Sequence, residues 1–117
     1  MSLQIDTEFG RHALIFRLKG ELDHHTADQV RRQMEEAIAK SRVPHVIFNL
    51  KELQFMDSSG LGVFLGRYKL VNSMGGKMVL CDVNPSVYRL FEMSGMFKIV
   101  AVEPDEASAI SSLEVVS

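Results

Sequence analysis

The sequence has one cysteine, Cys81, in 117 residues. An internal disulfide is therefore impossible, and no thiolate cluster can hold a metal. Cys81 ends the apolar run Met78-Val79-Leu80-Cys81, which reads as a buried strand carrying an inert core thiol. Charge of one sign is equally scarce: 13 basic against 15 acidic residues leave a net charge of −2. That balance supplies no bulk positive field for nucleic acid or an anionic membrane surface. No apolar run approaches the roughly 20 residues of a membrane-spanning helix. Met1-Ser2-Leu3-Gln4-Ile5-Asp6 has neither the basic region nor the apolar core of an export signal. A cytoplasmic protein is expected, with no nucleic-acid or membrane partner. Repeats, linkers and low-complexity tracts are missing too, so residues 1–117 are expected to form one domain, long enough to bury a core.

Enzyme signatures are also lacking. No glycine stands two residues before Ser58 or Ser59, so the strand-to-helix elbow of a serine hydrolase is absent. The imidazoles are His12, His24, His25 and His45, and the only close pair is adjacent in sequence, a spacing that rarely converges on one metal. Gly60, Gly62 and Gly66 read G-x-G-x-x-x-G, one residue longer than a dinucleotide fingerprint, and no phosphate-binding G-x-x-x-x-G-K-[ST] occurs. No catalytic residue, metal or cofactor is expected.

What is present is an ordered alternation of strand and helix patterns. Leu3, Ile5, Thr7 and Phe9 alternate with polar residues, and Leu14, Phe16 and Leu18 alternate with Ile15, Arg17 and Lys19, with Gly10-Arg11-His12 as the turn of an antiparallel hairpin. Thr26 and Gln29 have capping-box spacing ahead of a helix with Ala27, Val30, Met34, Ala37 and Ile38 on its core face. His45–Leu50 reads as a central strand, and Lys51-Glu52-Leu53-Gln54 as a connection. Leu61, Phe64, Leu65, Tyr68 and Val71 form the core face of a second helix that Gly75-Gly76 closes. A strand over 77–82, a helix from Asn84-Pro85 to Ser94-Gly95, a strand over 98–102 and a helix from Pro104-Asp105-Glu106 complete the series. The fold class is α/β: a mixed, mostly parallel sheet with an N-terminal antiparallel hairpin and about four helices.

The stretch Met56-Asp57-Ser58-Ser59-Gly60-Leu61-Gly62 joins the central strand to the second helix. Asp and Ser at that junction make a helix cap, accepting from unpaired first-turn amides. The same convergence of N–H groups and helix dipole tolerates an anion, so a phosphate on either hydroxyl is a second reading. Gly62 and Gly66 share one helix stripe with little side chain. Either the stripe packs tightly on the protein's own sheet, or it is a docking surface flanked by Val63, Arg67 and Leu70.

Asp57-Ser58-Ser59-Gly60-Leu61-Gly62 resembles the phosphorylation motif of the anti-sigma-factor antagonists, the STAS-domain family. Gly20-Glu21-Leu22-Asp23-His24-His25-Thr26-Ala27, Gly66-Arg67-Tyr68-Lys69 and Met93-Ser94-Gly95-Met96-Phe97-Lys98-Ile99 are similar to its sporulation branch, the antagonists of anti-sigma F factor. The resemblance implies a single STAS domain and a phosphorylation-switched regulator rather than an enzyme. It implies that unmodified protein binds the anti-sigma factor and releases the sporulation sigma factor. That partner would be a serine kinase, with its own ATP and magnesium, that inactivates the protein by phosphorylating Ser58; a serine phosphatase would reverse this. Ser59 is the rival acceptor, and only the motif favours Ser58. The residues expected at the partner are Asp23, Asp57, Ser58, Ser59, Gly60, Gly62, Val63, Gly66 and Arg67. For Asp23, orienting the Ser58 hydroxyl, contacting the partner and capping the helix after His25 all stand open.

Overall fold

A computed structural model describes residues 2–114. Strand β1 (Leu3–Phe9) pairs antiparallel with β2 (Leu14–Leu22), Ile5 opposite Leu18 and Phe9 opposite Leu14. From β2 onward the sheet is parallel, running through β3 (Val46–Met56), β4 (Met78–Cys81) and β5 (Ala101–Glu103) in chain order. Helices α1 (Ala27–Lys40), α2 (Ser58–Ser73) and α3 (Pro85–Ser94) form the three crossovers. Right-handed crossovers that always step the same way place their helices on one face of a sheet. Accordingly Val30 and Met34 of α1, Phe64 of α2 and Phe91 of α3 share one core with Leu14, Phe16, Phe48 and Leu80 of the strands.

Helix α4 (Glu106–Glu114) lies on the opposite face, where Ala109 and Leu113 pack with Ala13, Ile15, Ile47, Val79 and Cys81. Burial raises the Cys81 thiol to about 12, so it stays protonated and unreactive at neutral pH. An aromatic chain binds the first face together. Phe16, Phe48, Phe64, Phe91 and Phe97 follow one another with ring centroids 5.3, 5.2, 5.2 and 5.7 Å apart. The two contacts of Phe64 are edge-to-face, that of Phe16 is tilted and that of Phe97 stacked, all favourable geometries, and they fix α2 against β3.

Strand β3 is longer than its pattern implies. The segment Lys51–Gln54, expected as a connection, continues the strand to Met56. Its register with β2 slips twice, from Arg17–Asn49 to Lys19–Glu52 and from Gly20–Leu53 to Glu21–Phe55. Each slip inserts an extra β3 residue, a bulge. Core positions on β3 therefore fall at Val46, Phe48, Leu50, Leu53 and Met56. The period of two breaks after Leu50, which is what made the second half look like a loop. Asn84 closes the gap: its Nδ2 donates to the carbonyls of Leu50, Lys51 and Leu53, while its Oδ1 accepts from the Ser86 N–H and caps α3.

Three other elements differ from expectation. The capping box at Thr26 does not form: its Oγ1 accepts from the Asp23 N–H and donates to the Glu21 carbonyl, so the hydroxyl serves the preceding loop. The last strand is only Ala101–Glu103, because Met96–Lys98 winds into a 3₁₀ turn after the left-handed Gly95. On α4 the sequence pattern offers Ala107, Ile110 and Leu113, but the buried residues are Ala109 and Leu113, with Ala107 outward and Ile110 half-buried.

Helix α4 is fastened by Arg17, whose Nε and Nη2 both lie 2.8 Å from the Glu106 carboxylate, with Asn49 donating to the same group. The hydrogen bonds from Arg17 hold the Glu106 carboxyl below its ordinary value, against the opposing effect of burial. A depressed carboxyl stabilises the fold above its unfolded pKa and loses that contribution as pH falls through the folded value. Glu106→Gln is expected to cost about 1 kcal/mol at pH 7. It should also flatten the loss of stability below about pH 4.3, checked by urea unfolding at a series of pH values.

Candidate functional site

The carboxyl ends of β2 and β3 lie side by side, with Leu22 paired to Met56. The loop after β2 and the start of α2 therefore meet at one corner. Asp57 is the N-cap of α2: its Oδ1 accepts from the N–H of Ser59 at 2.9 Å and of Gly60 at 3.3 Å. Its Oδ2 accepts from the N–H of His24 at 3.3 Å, and its own N–H donates to the Leu22 carbonyl. One carboxylate thus caps the helix and pins the loop.

Gly60 is buried at this junction. A Cβ there would collide with Met56 and lie 3.0 Å from Leu22 Cγ, so only glycine lets α2 start this close to β2 and β3. Ser58 is the first residue of α2 and is exposed; Ser59 is half-buried. Asp23, 2% exposed, accepts from the N–H groups of His25 at 2.8 Å and Thr26 at 3.1 Å through Oδ1. Burial works to raise its carboxyl, but these backbone donors and nearby His25 outweigh it and hold Asp23 below the ordinary carboxylate value. Its Oδ2 has no partner among the described residues. Of the three roles open for Asp23, the geometry matches the cap of the loop into α1; a direct contact with a partner conflicts with its burial.

The face of α2 is turned relative to expectation. Val63 and Arg67, each 6% exposed, are buried with Phe64 and Val71, whereas Leu65 is 37% exposed and Leu61 and Tyr68 are half-buried. Val63 and Arg67 are therefore buried rather than set as an exposed rim to the Gly62/Gly66 stripe. Arg67 is inward because its long stem adds apolar surface and its Nη2 reaches Glu35 of α1 at 3.0 Å. Burial lowers the Arg67 guanidinium from its ordinary value, and the Glu35 charge only partly offsets this. Polarity placed Arg67 outside; the signal for the opposite was an acidic partner on α1, invisible without the helix pairing.

Gly62 and Gly66 point away from the body: an added Cβ on either meets nothing within 4 Å. The stripe does not pack on the protein's own sheet, which removes that alternative. Beside it, Leu61, Gly62, Leu65, Ser94, Gly95, Met96 and Ile99 line a shallow apolar groove of about 320 Å³. Met93 near its rim is 70% exposed, while Met96 is buried.

The STAS domain profile matches residues 4–109, which is most of the chain. The chain belongs to the STAS-domain family. It is 60% identical over 117 residues, all of both chains, to the anti-sigma F factor antagonist of Paenibacillus polymyxa. It is also similar to the solved structure of the anti-sigma factor antagonist SpoIIAA in its unphosphorylated form, at 31% identity and TM-score 0.73, covering 98% of this chain and 100% of the other. The Bacillus cell fate determinant SpoIIAA in its phosphorylated form gives 33% identity and TM-score 0.70 over 95% and 98% of the two chains. Among the described residues of this STAS domain, no helix is long and apolar enough to cross a membrane, and no cluster of three His, Cys, Asp or Glu could hold a metal.

Two stability measurements check this corner. Asp57→Ala is expected to cost about 1–2 kcal/mol through loss of the cap, while Asp57→Asn retains most of it; urea unfolding of both variants decides. Gly66→Ala is expected to stabilise by about 0.5–1 kcal/mol, since the new methyl meets nothing, and no loss of folding should appear in its circular dichroism.

Proposed function

We propose that this STAS protein is a sporulation-type anti-sigma F factor antagonist whose grip on its partner is set by phosphorylation of Ser58. The observation that carries the reading is the exposed hydroxyl at the first position of a helix whose start is held rigidly by Asp57. It lies one turn from the open Gly62/Gly66 stripe and the apolar groove. The relatives support it: one is named an anti-sigma F factor antagonist, and SpoIIAA has been solved in unphosphorylated and phosphorylated forms.

In this reading unmodified protein docks the start of α2, the glycine stripe and the groove on the anti-sigma factor, displacing the sporulation sigma factor. The contact residues are Asp57, Ser58, Ser59, Gly62 and Gly66, with Leu61 and Leu65 in place of Val63 and Arg67. Asp23 and Gly60 act from within, by shaping the loop and the helix start. The partner is a serine kinase: Ser58 Oγ forms a bond to the γ-phosphorus of the partner's ATP, the bond to the bridging oxygen breaks, ADP leaves, and the hydroxyl proton passes to a base or to water. Magnesium and nucleotide belong to the partner, and this chain is substrate rather than catalyst.

The product carries about −1.5 to −2 charges at the rim of the docking surface. Of the four first-turn amides without a helical acceptor, those of Ser59 and Gly60 donate to Asp57 Oδ1 and that of Asp57 donates to the Leu22 carbonyl. Only the Ser58 N–H remains, so the helix end has little left with which to neutralise the dianion. Docking then requires burying a hydrated charge against a surface shaped for a neutral hydroxyl, and the complex weakens without a change of fold. A serine phosphatase resets the switch in the cytoplasm.

The test is binding to the cognate anti-sigma factor, with labelled ATP in the same mixture. Wild type should bind and take label; Ser58→Ala should bind without label; Ser58→Asp should bind at least about tenfold more weakly, roughly 1.4 kcal/mol. Gly66→Ala, which leaves the fold intact, should also lose affinity. Undiminished labelling of Ser58→Ala moves the acceptor to Ser59, and failure of all variants to bind rejects the antagonist reading.

A further inference from the structure

We propose that His24 and His25 are the counter-charge of the phosphate on Ser58, so that phosphorylation is coupled to proton uptake by this pair. The inference rests on the reading of Ser58 as the modified residue and adds the groups that answer the modification.

The two rings stand together on the surface beside the helix start. His24 and His25 are both exposed, and their ring centroids are 3.9 Å apart. The loop that carries them is fixed to α2 by the His24 N–H donating to Asp57 Oδ2, and His24 Nδ1 lies 3.7 Å from the same oxygen. The ionisable groups facing the pair are Asp57 from α2 and Asp23, which acts on His25 from within the loop. Two imidazoliums this close would repel each other, and the two carboxylates beside them are already engaged by backbone donors.

A phosphate on Ser58 changes that balance. It arrives directly after Asp57, at a helix end with three of its four free amides already taken. A charge of about −1.5 to −2 next to a carboxylate calls for cations. Among the described residues no Lys or Arg is paired with Asp57; the cationisable side chain against it is His24. An unperturbed imidazole titrates near 6.5, close enough to neutrality for an adjacent dianion to hold its proton at physiological pH. The linkage runs both ways. The phosphate raises the imidazole pKa, and the imidazolium lowers the second pKa of the phosphate from its ordinary value near 6. Between those two values the phosphate is dianionic and the ring is charged, and in that window the pair is at full strength.

The experiment uses full-length protein with phosphoserine installed at position 58 during translation, so no kinase is needed. The His24 and His25 ring resonances are followed by NMR against pH in the modified and unmodified chains, and the phosphorus resonance is followed in the modified chain. The His24 midpoint is expected to rise by about one unit on phosphorylation. The phosphate midpoint should move up by several tenths of a unit in His24→Ala relative to the phosphorylated wild type, with His24→Lys restoring it. Coincident His24 midpoints in the two forms overturn the proposal, as does a phosphate midpoint indifferent to His24→Ala. Because the phosphate is placed independently of the anti-sigma factor, a kinase that fails to label Ser58 defeats the functional reading alone. Labelled Ser58 with an unmoved His24 defeats this one alone.

Discussion

The Asp57 carboxylate serves two chain segments at once: one oxygen holds the first turn of α2, and the other holds the loop that follows β2. Both segments emerge from the carboxyl ends of neighbouring parallel strands, where open α/β sheets gather their functional groups. The meeting is possible because Gly60 has no Cβ to strike Met56 and Leu22. It is rigid because the aromatic chain through Phe48, Phe64 and Phe91 fixes α2 from beneath. Ser58 is consequently presented from a fixed frame rather than from a mobile loop, and any partner meets it in one geometry.

That frame decides what a phosphate can do here. A helix start with four free amides would absorb an anion and mask it. Here two of them go to the Asp57 carboxylate and a third, that of Asp57 itself, to the Leu22 carbonyl, so a charge added at Ser58 would stay on the surface. On the proposed reading, the same atoms that make the site rigid would make a phosphate on Ser58 conspicuous. A regulatory signal read as surface charge needs no second conformation, which suits a domain whose site is welded to its core.

Much of this was legible in the sequence where local chemistry dominates. The hairpin, the order of strands and helices, the Asn84-Pro85 start and the Gly95 stop of α3 all follow from periodicity and capping residues. The site motif was legible as a strand-to-helix junction; the choice of Ser58 over Ser59 rests on the family resemblance alone. The features that could not be read are tertiary. Two bulges in β3 interrupt its alternation and are made acceptable by Asn84, more than 30 residues away. Thr26 abandons the capping box because Asp23 and Glu21 offer its hydroxyl other partners. Cys81 shows the opposite case, a residue whose run of apolar neighbours fixed its burial.

Arg67 shows why the rotation of α2 escaped a reading by polarity, and what that rotation does for the site. Its side chain passes between α1 and α2, with Nη2 on Glu35 and with Nε and Nη1 unpaired among the described residues. Unpaired buried donors are costly, so the contact is poor as a source of stability compared with an apolar side chain of the same size. Its value lies in geometry. The Glu35 ion pair ties α2 to α1, and α1 begins where the His24-His25 loop that meets Asp57 ends. Turning Arg67 inward leaves the outward stripe to Gly62 and Gly66, so the residue that looked like a flank of that stripe is the one that clears it.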